Sequence, residues 1–234
     1  MPLVNWNDVD TVLLDMDGTL LDLHFDNFFW LDHLPRRYAE YRQQPEAAVK
    51  EQLEKRFASE RGSLNWYCLD YWSEQLDIDI ATLKREITHL IAIRPHVARF
   101  LQALKHSHRQ CLLVTNAHRD SVAIKMEHID LRPWLDEIII SHDFDAPKED
   151  PAFWRRLHRK LGFDPQRTLF IDDTEAVLQA AQEFGIRHLL TLLQPDSQGP
   201  HREQLVFPAI HHFDEIMPPT ELDQNASASD QHEP

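Results

Sequence analysis

The chain has 234 residues, 42% hydrophobic and 27% charged, enough apolar content for one sizeable core with an insertion but tight for two full domains. Its formal net charge of −15 argues against a general nucleic-acid binder, because phosphate backbones need Lys and Arg, and any small anionic ligand would need a local positive site. The longest apolar runs fall far short of a membrane span, the N-terminus lacks a basic-then-apolar signal layout, and two cysteines, Cys68 and Cys111, imply neither a disulfide framework nor a thiolate metal site; a soluble cytoplasmic protein with no membrane partner is expected.

The first element is the apolar run 11–15, TVLLD, which reads as a strand buried on both faces. It ends in VLLDMDGTLLD, with Asp15, Asp17 and Asp22 close together. Residues i and i+2 of extended chain point the same way, so Asp15 and Asp17 can face one ligand. Two ionised acids so close repel, and a cation would relieve that repulsion. Gly18 allows a sharp turn, and Asp22 reads either as steering a lid over the site or as a helix-capping acid.

Residues 23–94 carry no strand-like run. Helical spacing is found instead in HFDNFFWLDHLPRRYAEYRQQ, PEAAVKEQLEKRFASE, LNWYCLDYWSEQL and IATLKREITHLI. An α-helical insertion at the loop end of the first strand would sit over the sheet as that lid. Its aromatic pairs Phe25 with Phe29 and Tyr67 with Tyr71 have the spacing of bundle core.

Beyond residue 95, helices and strands alternate. Helical patterns at 96–107, 120–129, 151–162 and 175–185 separate the strand-like runs QCLLVT (110–115), EIIIS (137–141), TLFID (168–172) and RHLLTL (187–192). Asp120 stands ahead of one helix as a cap, and Gly162 and Gly185 close two others. The alternation predicts an α/β fold, a doubly wound parallel sheet built from 1–22 and 95–217, with 23–94 as the helical cap. Residues 218–234 are polar and aperiodic, and disorder is expected there. The fifteen histidines are scattered and read as surface residues.

In an open parallel sheet, ligands bind beyond the carboxyl ends of the strands. Those ends carry Asp15 and Asp17, then Thr115 and Asn116, then Lys148 after the third strand, then Asp172 and Asp173. Four acids with no sulfur or histidine partner suit Mg²⁺, with Mn²⁺ or Co²⁺ as substitutes. Lys148 and the Thr115 hydroxyl would hold phosphoryl oxygens, one carboxylate would act as nucleophile and the other would carry a proton. Asn116 and His118 read equally well as caps for the next helix, and all of DFDAPKED except Lys148 as a solvated loop.

At these residues the chain resembles the haloacid dehalogenase superfamily of phosphatases. DMDGT at 15–19, LLVTN at 112–116, Lys148 and LFIDDTEAV at 169–177 look like its four motifs in order. The resemblance implies a haloacid dehalogenase-like core with an inserted helical cap. It also implies Asp15 as nucleophile, Asp17 as general acid/base and backbone-carbonyl metal ligand, and Asp172 and Asp173 as the further metal site. One departure is the order APKEDP, where many relatives follow the lysine with proline. The dehalogenase branch lacks the second acid of the first motif; Asp17 is present, so the resemblance implies a phosphate-ester hydrolase acting on a small-molecule partner. The cap stretch LNWYCLDYWSEQL is similar to the purine-nucleotide branch, which acts on GMP and IMP, implying Asn65 on the edge of the base and Trp66 stacked on its face. A sugar-phosphate phosphatase or phosphomutase is the alternative, and a non-catalytic phosphometabolite-binding module ranks last because every essential acid is present. Oligomeric state is left open.

Overall fold

In the computed structural model, which describes residues 3–219, the apolar runs form six parallel strands: β1 (Thr11–Leu14), β2 (Gln110–Thr115), β3 (Glu137–Ile140), β4 (Thr168–Ile171), β5 (His188–Leu192) and β6 (Ala209–Ile210). Their order is β3-β2-β1-β4-β5-β6, with Leu14 paired to Leu113 on one side and to Ile171 on the other. Strand alternation divides the interior into two cores. Val12, Leu14, Leu113 and Ile171 pack against α7 (Val97–Lys105) and α8 (Arg119–His128). Leu13, Leu112, Val114 and Phe170 pack against α9 (Pro151–Leu161) and α10 (Glu175–Phe184). Helices on both faces explain why the central strands read as unbroken apolar runs.

Three local expectations need correction. β3 is an edge strand in which only Ile139 is fully covered, so it is not buried on both faces. β6, two residues long, is too short to show a periodicity and was not expected. Asp120 does not cap α8: the helix begins at Arg119, His118 occupies the cap position without a side-chain bond, and Asp120 lies in the first turn. Gly162 and Gly185 do close α9 and α10, at positive φ, where a residue without Cβ is least strained.

The helical segment comprises α1 (His24–Phe28), α2 (Leu34–Arg42), α3 (Glu46–Glu60), α4 (Leu64–Tyr67), α5 (Leu69–Leu76) and α6 (Ile80–Arg85). The first long helical pattern is interrupted by a wide π turn over Phe29–His33. Pro35 lies just beyond it; it has no N–H to donate and crowds the carbonyl four residues back, so the ladder loosens there. LNWYCLDYWSEQL is likewise two helices, broken at Cys68, whose extended backbone lets its sulfur accept from Tyr71 N. The chain enters and leaves this segment side by side: Asp22 N donates to Ala92 O and Arg94 N to Leu20 O. Trp30, Phe57, Trp66 and Trp72 make edge-on contacts inside it, with Trp72 completely covered.

β1 lies between β2 and β4, so the chain leaves the sheet in opposite directions around it. The crevice at such a switch point lies beyond the strand carboxyl ends. Among the described residues no helix is long and apolar enough to cross a membrane. His33 and His118 are buried, contrary to the expectation that the histidines lie at the surface. Of the segment expected to be disordered, residues 220–234 lie outside the described residues.

Trp154 of α9 links core to crevice: it is fully buried beside Phe153 and Phe170, and its indole N–H donates to the Lys148 carbonyl at 2.8 Å. Trp154→Phe removes volume and leaves that carbonyl without a donor. We expect a loss of roughly 2–4 kcal/mol in urea unfolding; a change under about 0.5 kcal/mol, the range of neutral surface substitutions, would show that the bond does not support the loop.

Candidate active site

The crevice is built around one ammonium. Lys148 is 2% exposed, and its Nζ lies 2.5 Å from Asp15 Oδ1, 2.6 Å from Asp172 Oδ2 and 3.0 Å from the Val114 carbonyl. Three strand ends are thereby drawn together: Asp15 extends β1, Asp172 extends β4, and Val114 belongs to β2. The lysine is itself fixed through its backbone, whose N–H donates to Asn116 Oδ1 and whose carbonyl takes the Trp154 bond.

Asp15, Asp172 and Asp173 each bring a carboxylate oxygen to within 4.8 Å of the others, all three buried. Asp172 accepts from Thr174 N, and Asp173 faces Arg202, which donates to its backbone carbonyl and approaches Oδ2 at 3.5 Å. Burial is the main cause that lifts the pKa of Asp15 and Asp173 to about 7 and of Asp172 to about 6. Lys148 opposes the lift in each case, and its own charge, disfavoured by burial, is raised in pKa by Asp15 and Asp172. A cluster of acids held partly protonated by desolvation and mutual repulsion fits a hard, oxygen-seeking cation. Gly18, at φ +83°, permits this packing, since a Cβ there would fall 2.8 Å from Asp173 Cγ and Oδ2.

Asp17 lies on the same cavity but outside that triad of acids. Burial apart, Asp17 raises the pKa of Asp15, so the two acids repel as their spacing implied, and buried lysines already relieve part of that repulsion. Each has its own lysine. Lys125 Nζ of α8 sits 2.6 Å from Asp17 Oδ1, an ion pair in which that oxygen has no well-aligned hydrogen-bond donor. Lys125 also contacts Asp26 at 2.6 Å, and Asp26 takes Lys84 on its other oxygen at 2.6 Å. Burial raises the Asp17 pKa against the pull of Lys125, whereas Asp26, equally buried, is held down at about 2 by its two lysines.

Sequence reasoning missed Lys125, Lys84 and Asp26. A usable signal was present: Lys84 is four residues after Ile80 and Lys125 three after Val122, each on the apolar stripe of its helix, where an unpaired lysine is rare. The loop DFDAPKED is likewise more than a solvated loop around Lys148. Glu149 accepts from Asn116 Nδ2 at 2.9 Å and from the Tyr67 hydroxyl at 2.5 Å, Phe144 is buried, and Asp150 caps α9. Thr115 is buried at the end of β2; its oxygen accepts from Ala117 N and its hydroxyl hydrogen has no acceptor among the described residues.

These groups form the floor of a cavity of about 460 Å³, within the range of about 300–1,000 Å³ usual for small-molecule sites. The helical segment supplies its other wall, including Trp30, Arg61, Trp66 and Tyr67. Asn65 is not part of it: the side chain is exposed, and its amide donates to Glu60. The structure thus gathers Asp15, Asp17, Thr115, Asn116, Lys148, Asp172, Asp173 and Trp66 about one space and leaves Asn65 outside.

Comparison with known proteins agrees with this arrangement. The profile of the family described as "haloacid dehalogenase-like hydrolase" matches residues 9–185. The chain is 42% identical over 215 residues, 92% of its length and 97% of the relative's, to the GMP/IMP nucleotidase YrfG of Escherichia coli (strain K12). It is 22% identical to a phosphorylated carbohydrates phosphatase of Thermotoga maritima, covering 82% of this chain and 88% of the other. Among solved structures, a HAD phosphatase from Thermococcus onnurineus superposes with a TM-score of 0.74 at 18% identity, over 89% of this chain and 96% of that one, a likeness of fold.

The raised pKa values have a measurable consequence. A carboxyl whose folded pKa is about 7 and whose ordinary value is 3.8 holds a proton in the folded state that the unfolded chain releases. Its contribution to stability is present below about pH 4 and is lost as pH rises toward 7. Asp173→Asn removes this penalty, so without divalent cation its Tm should exceed wild type by a few degrees at pH 8 and match it near pH 4. Added Mg²⁺ should raise the wild-type Tm more at pH 8 than at pH 5; a pH-independent difference between the two proteins contradicts the charge account.

Proposed function

The chain belongs to the haloacid dehalogenase-like hydrolases, and we propose that it is a 5′-nucleotidase that removes phosphate from the purine nucleoside monophosphates GMP and IMP through an aspartyl-phosphate intermediate. The observation that carries this reading is the pair of acids at the end of β1, each with its own buried lysine, beneath a cavity whose far wall is aromatic. The 42% identity to a GMP/IMP nucleotidase over nearly the whole of both chains supports the substrate class.

The residues divide the chemistry by position. Asp15 Oδ attacks phosphorus while Lys148 and the Thr115 hydroxyl hold the phosphoryl oxygens and absorb their charge. Asp17 gives a proton to the departing ribose O5′. Its raised pKa favours the protonated acid that this step needs, and the resulting carboxylate then takes a proton from the water that attacks the aspartyl-phosphate. The buried oxygens of Asp15, Asp172 and Asp173 fit Mg²⁺, with the Asp17 carbonyl as a further ligand and Mn²⁺ or Co²⁺ as substitutes; such an ion would lower the charge repulsion between the acids and the incoming phosphate. Asn116, which lines the cavity, also positions Lys148 by accepting from the lysine's backbone N–H.

Residues 23–94 act in this reading as a lid. Charged and polar pairs tie it to the rest of the chain, where Asp26, paired with Lys84, meets Lys125, Tyr67 meets Glu149 and Arg85 meets Glu127, and its apolar residues such as Phe25 and Phe29 join the core that includes Val122 and Ile124. Trp66 lines the cavity, and in this reading its ring stacks on the purine.

Phosphate release should be Mg²⁺-dependent and should favour GMP and IMP over sugar phosphates. Asp15→Asn should abolish it. Asp17→Asn should reduce kcat for GMP about 10²–10⁴-fold, the range for loss of a general acid. With p-nitrophenyl phosphate, whose leaving group needs little protonation, the Asp17→Asn loss in single-turnover phosphorylation should be much smaller. Equal losses on both esters would remove Asp17 from the protonating role, and activity confined to sugar phosphates would overturn the nucleotide assignment.

A further inference from the structure

The helical segment offers five charged or polar side chains to the cavity whose commitments can be followed: Asp26, Asn27, Arg61, Tyr67 and Lys84. Asp26 holds a lysine on each oxygen, and Lys84 is one of them. Tyr67 donates its hydroxyl hydrogen to Glu149, and Asn27 donates its amide hydrogen to Asp196 at 2.7 Å. Arg61 is different. It ends α3 beside Gly62, which stands at φ +84°, and its guanidinium has no hydrogen bond or ion pair among the described residues. A donor fork without a partner therefore borders the same space as the rings of Trp30 and Trp66. Those rings are themselves steadied by edge contacts, Trp30 with Phe57 and Trp72, Trp66 with Phe57.

We propose that Arg61 is the specificity-determining residue of this cavity, and that it recognises a 6-oxopurine by pairing its guanidinium with O6 and N7 while the aromatic wall covers the face of the base. The inference rests on the nucleotidase reading and names the part of the substrate that the enzyme selects. Guanine and hypoxanthine present two adjacent acceptors, O6 and N7, which match the two parallel N–H groups of arginine. Adenine presents an amino donor beside N7, so the same fork meets another donor at one of its two positions. A ring stacked on tryptophan gains attraction whatever its edge carries, so stacking alone would not separate these bases. The phosphate end is an insufficient source of selection as well, because Asp15, Lys148 and Thr115 would meet the same group in every nucleotide.

The test compares kcat/KM for wild type, Arg61→Ala and Arg61→Lys on GMP, IMP, AMP, 7-deaza-GMP, which lacks the N7 acceptor, and p-nitrophenyl phosphate, which has no base. Wild type should prefer GMP and IMP over AMP and 7-deaza-GMP by about ten- to hundredfold, the span expected of a bidentate base contact. Arg61→Ala should lose that factor on GMP and IMP and stay within about twofold of wild type on the other three. Arg61→Lys keeps the charge without the fork and should lose the selectivity too. Equal losses on every ester, including p-nitrophenyl phosphate, would show that Arg61 attracts phosphate charge and would overturn the proposal. So would variants that hydrolyse the nucleotides with the wild-type order of preference, an outcome that leaves the nucleotidase reading intact. Wild-type cleavage of p-nitrophenyl phosphate with no cleavage of any purine nucleotide would instead overturn the nucleotidase reading, and this inference with it.

Discussion

The Lys148 ammonium, buried between Asp15 and Asp172, sets the terms for everything around it. Removing an ion from water costs several kcal/mol, and the loss is offset only where opposite charge and hydrogen bonds converge closely on it. Here they converge from three strands, because the parallel sheet brings the ends of β1, β2 and β4 together at the switch in strand order. The lysine comes from the loop beyond β3, so Asn116 and Trp154 must fix its backbone before its side chain can reach the acids. The acidic cluster next to it would otherwise be a fold-destabilising concentration of negative charge.

The same device is used a second time between the sheet and the helical segment. Lys125 joins Asp17 to Asp26, and Lys84 completes the row, so two cations and two anions alternate through a buried seam. An Asp26 without its lysines would be an uncompensated buried charge, and either lysine without Asp26 would lose a partner at 2.6 Å. The position of the helical segment is thus electrostatically tied to Asp17. The cavity is itself lined by more acids, Asp15, Asp17, Asp26, Glu149, Asp172 and Asp173, than bases, Arg61, Lys84 and Lys148, so an anionic ester bound there would need a cation to offset the remaining negative charge.

The wall contributed by the helical segment combines fixed rings with few free polar groups. The edge contacts of Trp30, Phe57, Trp66 and Trp72 make the spacing of the apolar residues serve both packing and the cavity, and the reading of i, i+4 aromatics as bundle core was correct for Phe25 and Phe29 and incomplete for the half-buried Tyr67 and Tyr71. Tyr67 crosses to Glu149, the residue that stands directly after Lys148 where many relatives have proline. That departure is accounted for by a contact: the acid ties Asn116 to the helical segment, a bond a proline has no side-chain acceptor to make.

The sequence by itself determined the periodicities and the strand ends. Runs such as TVLLD and TLFID can only be covered on both faces, the helical patterns between them force parallel crossovers, and a polar residue after each strand must emerge at one edge of the sheet. Asp15, Thr115, Lys148 and Asp172 were legible for that reason. Tertiary structure alone decided which charges meet. Lys84 and Lys125 lie 58 and 99 residues from Asp26 along the chain, and only the docking of α1 and α6 onto α8 brings them within hydrogen-bonding distance. It also decided that Asn65 turns to Glu60 while Arg61, four residues earlier, borders the cavity: helix ends and a π turn set side-chain direction, and such breaks leave little trace in hydrophobic spacing. Local pattern specifies which face of an element is apolar, whereas pairing between distant charges depends on distances that exist only once the chain has folded.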